Sequence, residues 1–335
     1  MHKPLYIIGL ATALLSCASK KPVQKVVVKP KPVQKTIQTP PKPVKPPVEK
    51  SKGVEFYRSN ISDPTRNDNT ISYGSIVTAE PANFKVVKTY FPAVAQNFRQ
   101  RFIILHYTAL NDDKSVSVLT QQAVSSHYLV NALDDKEIYQ LVDENKRAYH
   151  AGVSSWRGAQ SLNDTSIGIE IVNEAKDAPG GGYIFPAFPE YQIEKVAALV
   201  KDLATRYQIP PSNILAHSDI APTRKQDPGP MFPWKQLYEK YQIGMWYDDA
   251  DKEIFLAQNT TEQFDAQQTS YRFIYSYQTM LKDFGYGLEP NGTWDDATKK
   301  TITAFQYHFR PEKYDGVMDQ ETFAILQALL KKYPK

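Results

Sequence analysis

The stretch RFIILHYTA, residues 101–109, places four large apolar residues in a row before a histidine. A short apolar, β-branched run that stops at polar residues is typical of a buried strand. The stretches TSIGIEIVN, residues 165–173, and NILAH, residues 213–217, have the same character. His106 and His217 stand at the ends of two of these runs. Because a strand end holds a side chain on a rigid backbone, both histidines are well placed to act as ligands.

Further strands and a long helix are predicted around these runs. HYLVNA, residues 127–132, and EIYQLVD, residues 137–143, are typical of an additional strand pair. EYQIEKVAALVKDLATRYQI, residues 190–209, has apolar residues at helical spacing and precedes two prolines, which predicts an amphipathic helix. Strands mixed with helices predict an α/β (α+β) fold, with a mixed central β-sheet flanked by helices.

Three segments near the C-terminus have the pattern of helices and predict a small three-helix domain. They are residues 269–288, 293–311 and 318–333, joined by EPNG and YDG turns. Thr293 and Asp319 occupy positions where helix N-caps are expected. The globular chain is therefore divided into a larger domain, residues 54–256, and a helical domain, residues 257–335.

Length and composition agree with a globular protein of about two domains. The chain has 335 residues, of which 41% are hydrophobic and 23% charged. The formal net charge of +4 is unevenly placed, because residues 20–52 contain ten lysines and one acid, a net of +9. Lys3 adds one, so the chain from Gly53 onward has a net charge of 9 + 1 − 4 = 6 negative charges. A mildly acidic folded part argues against a nucleic-acid partner.

The N-terminal stretch MHKPLYIIGLATALLSCASK, residues 1–20, has the pattern of an export signal. Its apolar run, residues 5–15, is shorter than the roughly 20 residues that span a bilayer. LLSC resembles a bacterial lipobox, so we expect a signal peptide over residues 1–16 and lipidation of Cys17, the chain's single cysteine. The alternative is an ordinary signal peptide with an incidental cysteine.

Residues 17–53 form a lysine- and proline-rich segment in which PVQK occurs twice. Such a composition cannot build a core and favours an extended tether. Ala18 follows the cysteine, and an aspartate there would resemble an inner-membrane retention signal. We therefore expect an outer membrane lipoprotein that faces the periplasm.

The histidines limit where a metal could bind. A zinc hydrolase needs three protein ligands and an open position for water. The sequence has no HExxH motif and no cysteine cluster, so any ligand set must come from separate segments. Outside the signal segment and the helical domain the histidines are His106, His127, His150 and His217. A set of His106, His217 and Asp227 is chemically reasonable, although histidines at strand ends also serve simply to bond backbone.

Several motifs together resemble one enzyme family. They are ILHYTA, SSHYLV, YHAGVSSWRG, LNDTSIGIEIVNE and HSDIAPTRKQDPGPMFPW. In this order they resemble the zinc-dependent N-acetylmuramoyl-L-alanine amidases of the amidase-2 type, whose fold is shared with peptidoglycan recognition proteins and T7 lysozyme. GTWDDATKKTITAFQ and YDGVMDQETFAIL more loosely resemble a peptidoglycan-binding three-helix module.

The resemblance implies zinc as the cofactor, with His106, His217 and Asp227 as its ligands. It also implies that Glu170 and Lys225 are catalytic. Zinc acidifies a water molecule, a carboxylate moves its proton, and a fixed positive charge stabilises an oxyanion. Without the resemblance, a strand-end ion pair for Glu170 and a solvated loop charge for Lys225 would be the favoured interpretations.

Other residues near these motifs receive weaker assignments. His127 is expected to be structural, and His150 to contact either a metal ligand or the substrate. Trp156, Arg157 and Asn163 are candidates for binding the stem peptide, since arginine suits carboxylates. The alternative for these three is a surface loop with a partly buried tryptophan.

Two charged residues between His217 and Asp227 receive no role. Asp219 and Arg224 are expected to be charges on the surface of that loop.

The sequence therefore predicts an enzyme that hydrolyses the amide between the lactyl group of N-acetylmuramic acid, ordinary or 1,6-anhydro, and L-alanine. Its partners would be peptidoglycan or muropeptides and, through Cys17, a membrane, and the protein would be a monomer. One alternative is a non-catalytic peptidoglycan-recognition or tethering lipoprotein, whose metal ligand set would be incomplete.

Overall fold

Nine strands, nine α-helices and two short 3-10 helices are found in the described part of the chain. The strands are β1 (Phe102–Tyr107), β2 (Tyr128–Val130), β3 (Tyr139–Gln140), β4 (Ser155–Trp156), β5 (Ala159–Gln160), β6 (Ser166–Ile171), β7 (Lys176–Asp177), β8 (Tyr183–Ile184) and β9 (Ile214–Ala216). The helices are α1 (Asp112–Gln121), α2 (Glu190–Tyr207), α3 (His217–Ile220), α4 (Trp234–Tyr241), α5 (Asp249–Leu256), α6 (Thr261–Gln267), α7 (Tyr271–Phe284), α8 (Asp296–Phe309) and α9 (Gln320–Lys332).

The computed structural model describes residues 81–86, 95 and 97–334, all of which belong to one compact unit. The predicted signal peptide (1–16), Cys17 and the tether (17–53) lie outside these residues. Within the described ranges, no helix is both long and apolar enough to cross a bilayer.

The central sheet has five strands in the order β3-β2-β6-β1-β9. β1 pairs in parallel with β6 and β9, β2 pairs in parallel with β6, and only β3 runs antiparallel. β1 is buried from Phe102 to His106, as expected for a continuous apolar run on an interior strand of the sheet. The predicted mixed sheet and the strand pair β2–β3 are confirmed.

The amphipathic helix predicted over residues 190–209 is confirmed as α2. Its buried face includes Ile193, Val196, Val200 and Leu203, a helical spacing that packs against the sheet core. The helix ends at Tyr207 because Gln208, its C-cap, adopts the left-handed conformation (φ 55°, ψ 41°), and the two prolines that follow cannot continue a helix.

The three C-terminal helices are confirmed as α7, α8 and α9, but one predicted cap is wrong. Asp319 is the N-cap of α9 and accepts from the backbone N–H of Thr322 at 2.9 Å. The N-cap of α8 is Asp295, two residues after Thr293, and it accepts from the N–H of Thr298 at 2.8 Å. Asparagine and aspartate are at least as strong as threonine at this position, so Asp295 takes precedence.

Helix α5 lies on the large-domain side of the predicted boundary at residue 257, yet it packs against α9. Lys331 pairs with Asp251 at 2.7 Å and Lys332 with Asp248 at 2.5 Å across this contact. The boundary itself stays a prediction. The helical region and the sheet region share a single buried core.

Candidate metal centre and cleft

The candidate site lies at the carboxyl edge of the sheet, where three neighbouring strands end. His106 on β1 stands directly opposite Glu170 on β6 in the parallel register. On the other side of β1, Leu105 pairs with Ala216, and His217 follows as the first residue of α3. Strand β9 therefore ends one residue earlier than predicted. Because the three strands are parallel, their carboxyl ends meet, and the crevice there is a usual position for ligands.

Three ligand-type atoms converge at this edge. His106 Nδ1, His217 Nδ1 and Asp227 Oδ2 lie 2.9 Å from one another in every pairing, and all three residues are buried. This set could hold a metal ion. The structure thus brings together the residues that the sequence nominated from segments up to 121 positions apart.

The hydrogen bond made by His106 Nε2 shows which of its two ring nitrogens carries the proton. His106 Nε2 is 3.0 Å from His150 Nδ1, and His150 Nε2 is 3.1 Å from Ser166 Oγ. The Ser166 hydroxyl donates to the carbonyl of Leu162 at 2.6 Å, so it accepts from His150. His150 Nε2 is therefore the protonated nitrogen, its Nδ1 accepts from His106 Nε2–H, and His106 Nδ1 is left with a lone pair.

His217 is oriented in the same way. Its Nε2 is 3.2 Å from the carbonyl of Ala151, which only a ring N–H can satisfy. Both Nδ1 lone pairs consequently face the carboxylate oxygen of Asp227. Three acceptor atoms so close together repel unless a cation lies among them, and such outer hydrogen bonds are what orient metal-binding histidines.

Electrostatics keep His106 and Asp227 in the forms that bind metal. Burial, followed by the neighbouring His217, lowers the pKa of His106 to about 4. Burial opposes ionisation of Asp227, but His217 and His106 outweigh it and hold the carboxyl pKa below its usual range. Neutral imidazole and ionised carboxylate are the forms that ligate a metal ion.

Glu170 stands beside this centre with an unsatisfied carboxylate. Its Oε2 is buried and has no hydrogen-bond partner in the structure. Burial, and then the charge of Asp227, raises the pKa of Glu170 well above its usual value, while Lys225 opposes the rise. A carboxylate with a raised pKa and a free oxygen is suited to accept and return a proton.

An open cleft of about 600 Å³ leads to these groups. Its floor contains His106, His150, Glu170 and His217, and Lys225 lines it as well. The volume lies within the range of sites that bind small ligands. The five residues nominated for metal binding and catalysis therefore all face the same space.

The two remaining central histidines are structural or supporting. His127 Nδ1 accepts from the N–H of Gly168 at 3.0 Å, and its Nε2 donates to the carbonyl of Lys146 at 3.0 Å, as a structural residue should. His150 contacts the candidate ligand His106. A Cβ on Gly168 would lie 2.4 Å from the His150 ring, so only glycine leaves room for this arrangement.

The structure does not place Trp156, Arg157 or Asn163, the candidates for binding the stem peptide, among the residues that line the cleft. Trp156 is fully buried, donates from Nε1 to Ser212 O at 3.0 Å and packs edge-on against Phe284. Arg157 donates to the carbonyl of Phe284 at 3.0 Å. Both residues therefore contact the helical region.

Asn163 supports the floor of the cleft from behind. Its Oδ1 accepts from the N–H groups of His150 and Ala151, at 3.0 and 2.7 Å. Asn163 therefore fixes the backbone of His150 and of Ala151, whose carbonyl accepts from His217. Asn163 does not line the cleft.

The expectation that Asp219 is a surface charge is wrong. Asp219 is completely buried, and its Oδ2 accepts from Ala216 N at 2.8 Å and faces His308 Nδ1 at 2.7 Å. Its Oδ1 accepts from the hydroxyl of Tyr286 at 2.9 Å. Through these hydrogen bonds the segment between His217 and Asp227 is attached to the helical region. The local sequence pattern around Asp219 does not reveal these distant partners.

Arg224 is exposed as expected and donates to the carbonyl of Val153.

We expect Asp219→Ala to lower the free energy of unfolding by about 3 kcal/mol, because it leaves buried donors of His308, Tyr286 and Ala216 without partners. Urea unfolding of the variant and wild type checks this value. Asp177→Ala, at an exposed position of β7, is the matched control and should change stability by less than about 0.5 kcal/mol. Equal stability of the two variants would contradict the assignment.

Some residues of the cleft were missed by sequence reasoning. Tyr183 on β8 and Lys300 and Tyr307 on α8 line it. No local signal in the sequence connects α8 with the catalytic segments. Only the packing of the helical region against α3 brings α8 there.

A buried set of three donors, beside a free carboxylate in an open cleft, is the arrangement of a metal-assisted hydrolase. A family model described as N-acetylmuramoyl-L-alanine amidase matches residues 96–230. The N-acetylmuramoyl-L-alanine amidase AmiD of Escherichia coli (strain K12) is 44% identical over 240 residues, which cover 70% of this chain and 84% of that protein. The chain belongs to the N-acetylmuramoyl-L-alanine amidase family.

Solved structures agree in fold over most of the chain. A complex of AmiD from E. coli with anhydro-N-acetylmuramic acid-L-Ala-D-γ-Glu-L-Lys has 41% identity and a TM-score of 0.68, and covers 76% of this chain and 97% of its own. AmpDH3 from Pseudomonas aeruginosa, in complex with anhydromuramic pentapeptide, has 42% identity and a TM-score of 0.65, with coverage of 78% and 100%. A second family model, for a peptidoglycan binding domain, matches residues 273–326.

Proposed function

We propose that this enzyme is a zinc-dependent N-acetylmuramoyl-L-alanine amidase that removes the stem peptide from muramic acid, ordinary or 1,6-anhydro. The observation that carries the proposal is the convergence of two histidine lone pairs and one ionised carboxylate at 2.9 Å, with Glu170 alongside. The complex of the E. coli relative with an anhydromuramoyl tripeptide supports the substrate class.

The donor set fits zinc. Imidazole nitrogen and carboxylate oxygen are both zinc ligands, and three protein ligands leave the fourth position that catalytic sites keep open. His106, His217 and Asp227 would hold the ion, which when bound would acidify water and polarise the scissile carbonyl.

The protein's own groups then move the protons and hold the charge. Glu170 takes a proton from the attacking water and delivers it to the nitrogen of L-alanine as that amine leaves. Lys225, whose charge already influences Glu170, stabilises the negative charge that develops on the carbonyl oxygen. His150 keeps the His106 ring in its working orientation.

Zinc dependence has a direct test. Purified protein is incubated with anhydromuramoyl tripeptide before and after treatment with a chelator, and the released peptide is quantified by mass spectrometry. Removal of metal should reduce hydrolysis by about 10³-fold, and added Zn²⁺ should restore it. Full hydrolysis by protein shown to be free of metal would contradict the proposal.

A non-catalytic recognition protein is disfavoured, because all three donors and both catalytic candidates face one cleft. Attachment to the cell wall through the helical region is compatible with catalysis and is supported by the match to a peptidoglycan binding domain.

We also propose lipidation at Cys17, an outer-membrane location facing the periplasm, and a monomeric state. The support for the anchor is the lipobox-like LLSC sequence that follows an apolar run.

A further inference from the structure

One face of α8 forms a wall of the catalytic cleft. Lys300, Thr303, Ala304 and Tyr307 line it together with the candidate metal ligands. These positions are i, i+3, i+4 and i+7, which is a single stripe along a helix. The stripe belongs to the segment that matches a peptidoglycan binding domain, so part of that module faces the reaction site instead of an independent wall-binding surface.

Contacts made by two residues of α8 fix the position of the stripe relative to the metal centre. His308, next to Tyr307 in sequence, contacts the buried Asp219 two residues after the candidate ligand His217. The His308 ring also stacks on Trp234, with centroids 3.9 Å apart. On the cleft side, the Tyr307 ring packs edge-on against Phe185 at 5.6 Å. The α8 stripe therefore has a defined position relative to the reacting groups.

In the described part of the chain, the charged side chains that line the cleft are two carboxylates and three basic groups. Among the described residues that line it, the carboxylates are Glu170 and Asp227, and both belong to the metal centre. The cationic side chains are Arg224, Lys225 and Lys300. A ligand that reaches from the metal centre to α8 therefore meets a positive charge there.

Lys300 is available to such a ligand. Its ion pair with Asp296, one turn earlier on α8, measures 2.8 Å, but the two side chains are 50% and 80% exposed. Ion pairs exposed to this degree are weak, so a substrate carboxylate can replace Asp296 as the partner. The peptide of the proposed substrate has such groups, because a γ-linked glutamate keeps its α-carboxylate and the last residue has a terminal one.

We infer that Lys300 is a specificity-determining residue that binds a carboxylate of the stem peptide, with the α8 stripe as the second wall of the amidase cleft. This inference rests on the proposed function. It gives the helical module a part in selecting the substrate.

The test compares Lys300→Met with wild type on two substrates. The first is anhydromuramoyl-L-Ala-D-γ-Glu-L-Lys, and the second is the same compound with both peptide carboxylates converted to amides. We expect KM for the first substrate to rise about tenfold with kcat within about twofold, because a charge-assisted contact is lost away from the reacting bond. On the amidated substrate the variant and wild type should behave alike.

Lys299→Met is the matched control. Lys299 is the exposed neighbour on the same helix, and it does not line the cleft, so its variant should keep the wild-type KM on both substrates. An unchanged KM in Lys300→Met, or an equal rise on both substrates, overturns the inference.

Binding of the free tripeptide L-Ala-D-γ-Glu-L-Lys, measured by titration calorimetry, separates this inference from the proposed function. It needs no turnover, so a weaker affinity in Lys300→Met supports the inference and an unchanged affinity opposes it. Failure of the wild-type protein to hydrolyse the amide would overturn the proposed function alone.

Discussion

Replacing Asp227 with alanine is expected to remove bound zinc and to reduce amide hydrolysis by about 10³-fold or more. The Asp227 carboxylate lies 2.9 Å from the Nδ1 atoms of both His106 and His217. Without it, two neutral imidazoles remain, and the negative charge that favours a divalent ion is gone. Metal content by mass spectrometry and peptide release from anhydromuramoyl tripeptide are the two measurements.

The control for this variant is Asp177→Ala, which removes an exposed carboxylate from the same domain. It should keep both zinc and activity. Because Asp227 is buried, circular dichroism must first show that the variant is folded. A folded Asp227→Ala protein that kept stoichiometric zinc and full turnover would remove Asp227 from the ligand set.

Replacing Glu170 with glutamine should have a different signature, in which zinc stays bound but turnover falls by about 10² to 10⁴-fold. Glutamine keeps the size of the side chain and cannot take up a proton. Glu170 is not one of the three convergent donors, although it lies directly across from His106 on the adjacent strand. A single-turnover assay with saturating substrate isolates the chemical step.

Glu174→Gln is the matched substitution, four residues further along and exposed. It should leave turnover within about twofold of wild type, as surface changes usually do. If Glu170→Gln retained normal turnover, Glu170 would be a structural carboxylate and another group would have to serve as the base. If it lost zinc instead, Glu170 would have to be counted among the ligands.

The structural elements and site residues that depend on a local sequence pattern could be predicted. The apolar run before His106 predicted a buried strand with a histidine near its end, and β1 confirms it. The family resemblance then nominated Glu170, Lys225 and Asp227, which the structure places in the same cleft as the histidines. Strand periodicity and motif order depend on residues close together in the chain, so they can be recognised without knowledge of the tertiary contacts.

Sequence reasoning failed where a residue's partner is distant in the chain. The local pattern of Trp156 and Arg157 predicted a substrate-binding or surface loop, because nothing nearby reveals that Phe284 packs against Trp156 and accepts from Arg157. Asp219 looked solvated for the same reason, since His308 lies 89 positions away. A charged or aromatic residue has the same local pattern whether water or a distant helix surrounds it.

The sequence by itself determined the strands of the central sheet, the family and the candidate donors, because these follow from local periodicity and from motifs with a fixed order. Only the tertiary structure decided which protons the histidines carry, how Asp219 joins the metal segment to the helical region, and that α8 lines the cleft. Those properties arise from hydrogen bonds and packing between segments far apart in the chain, and such contacts exist only once the chain has folded.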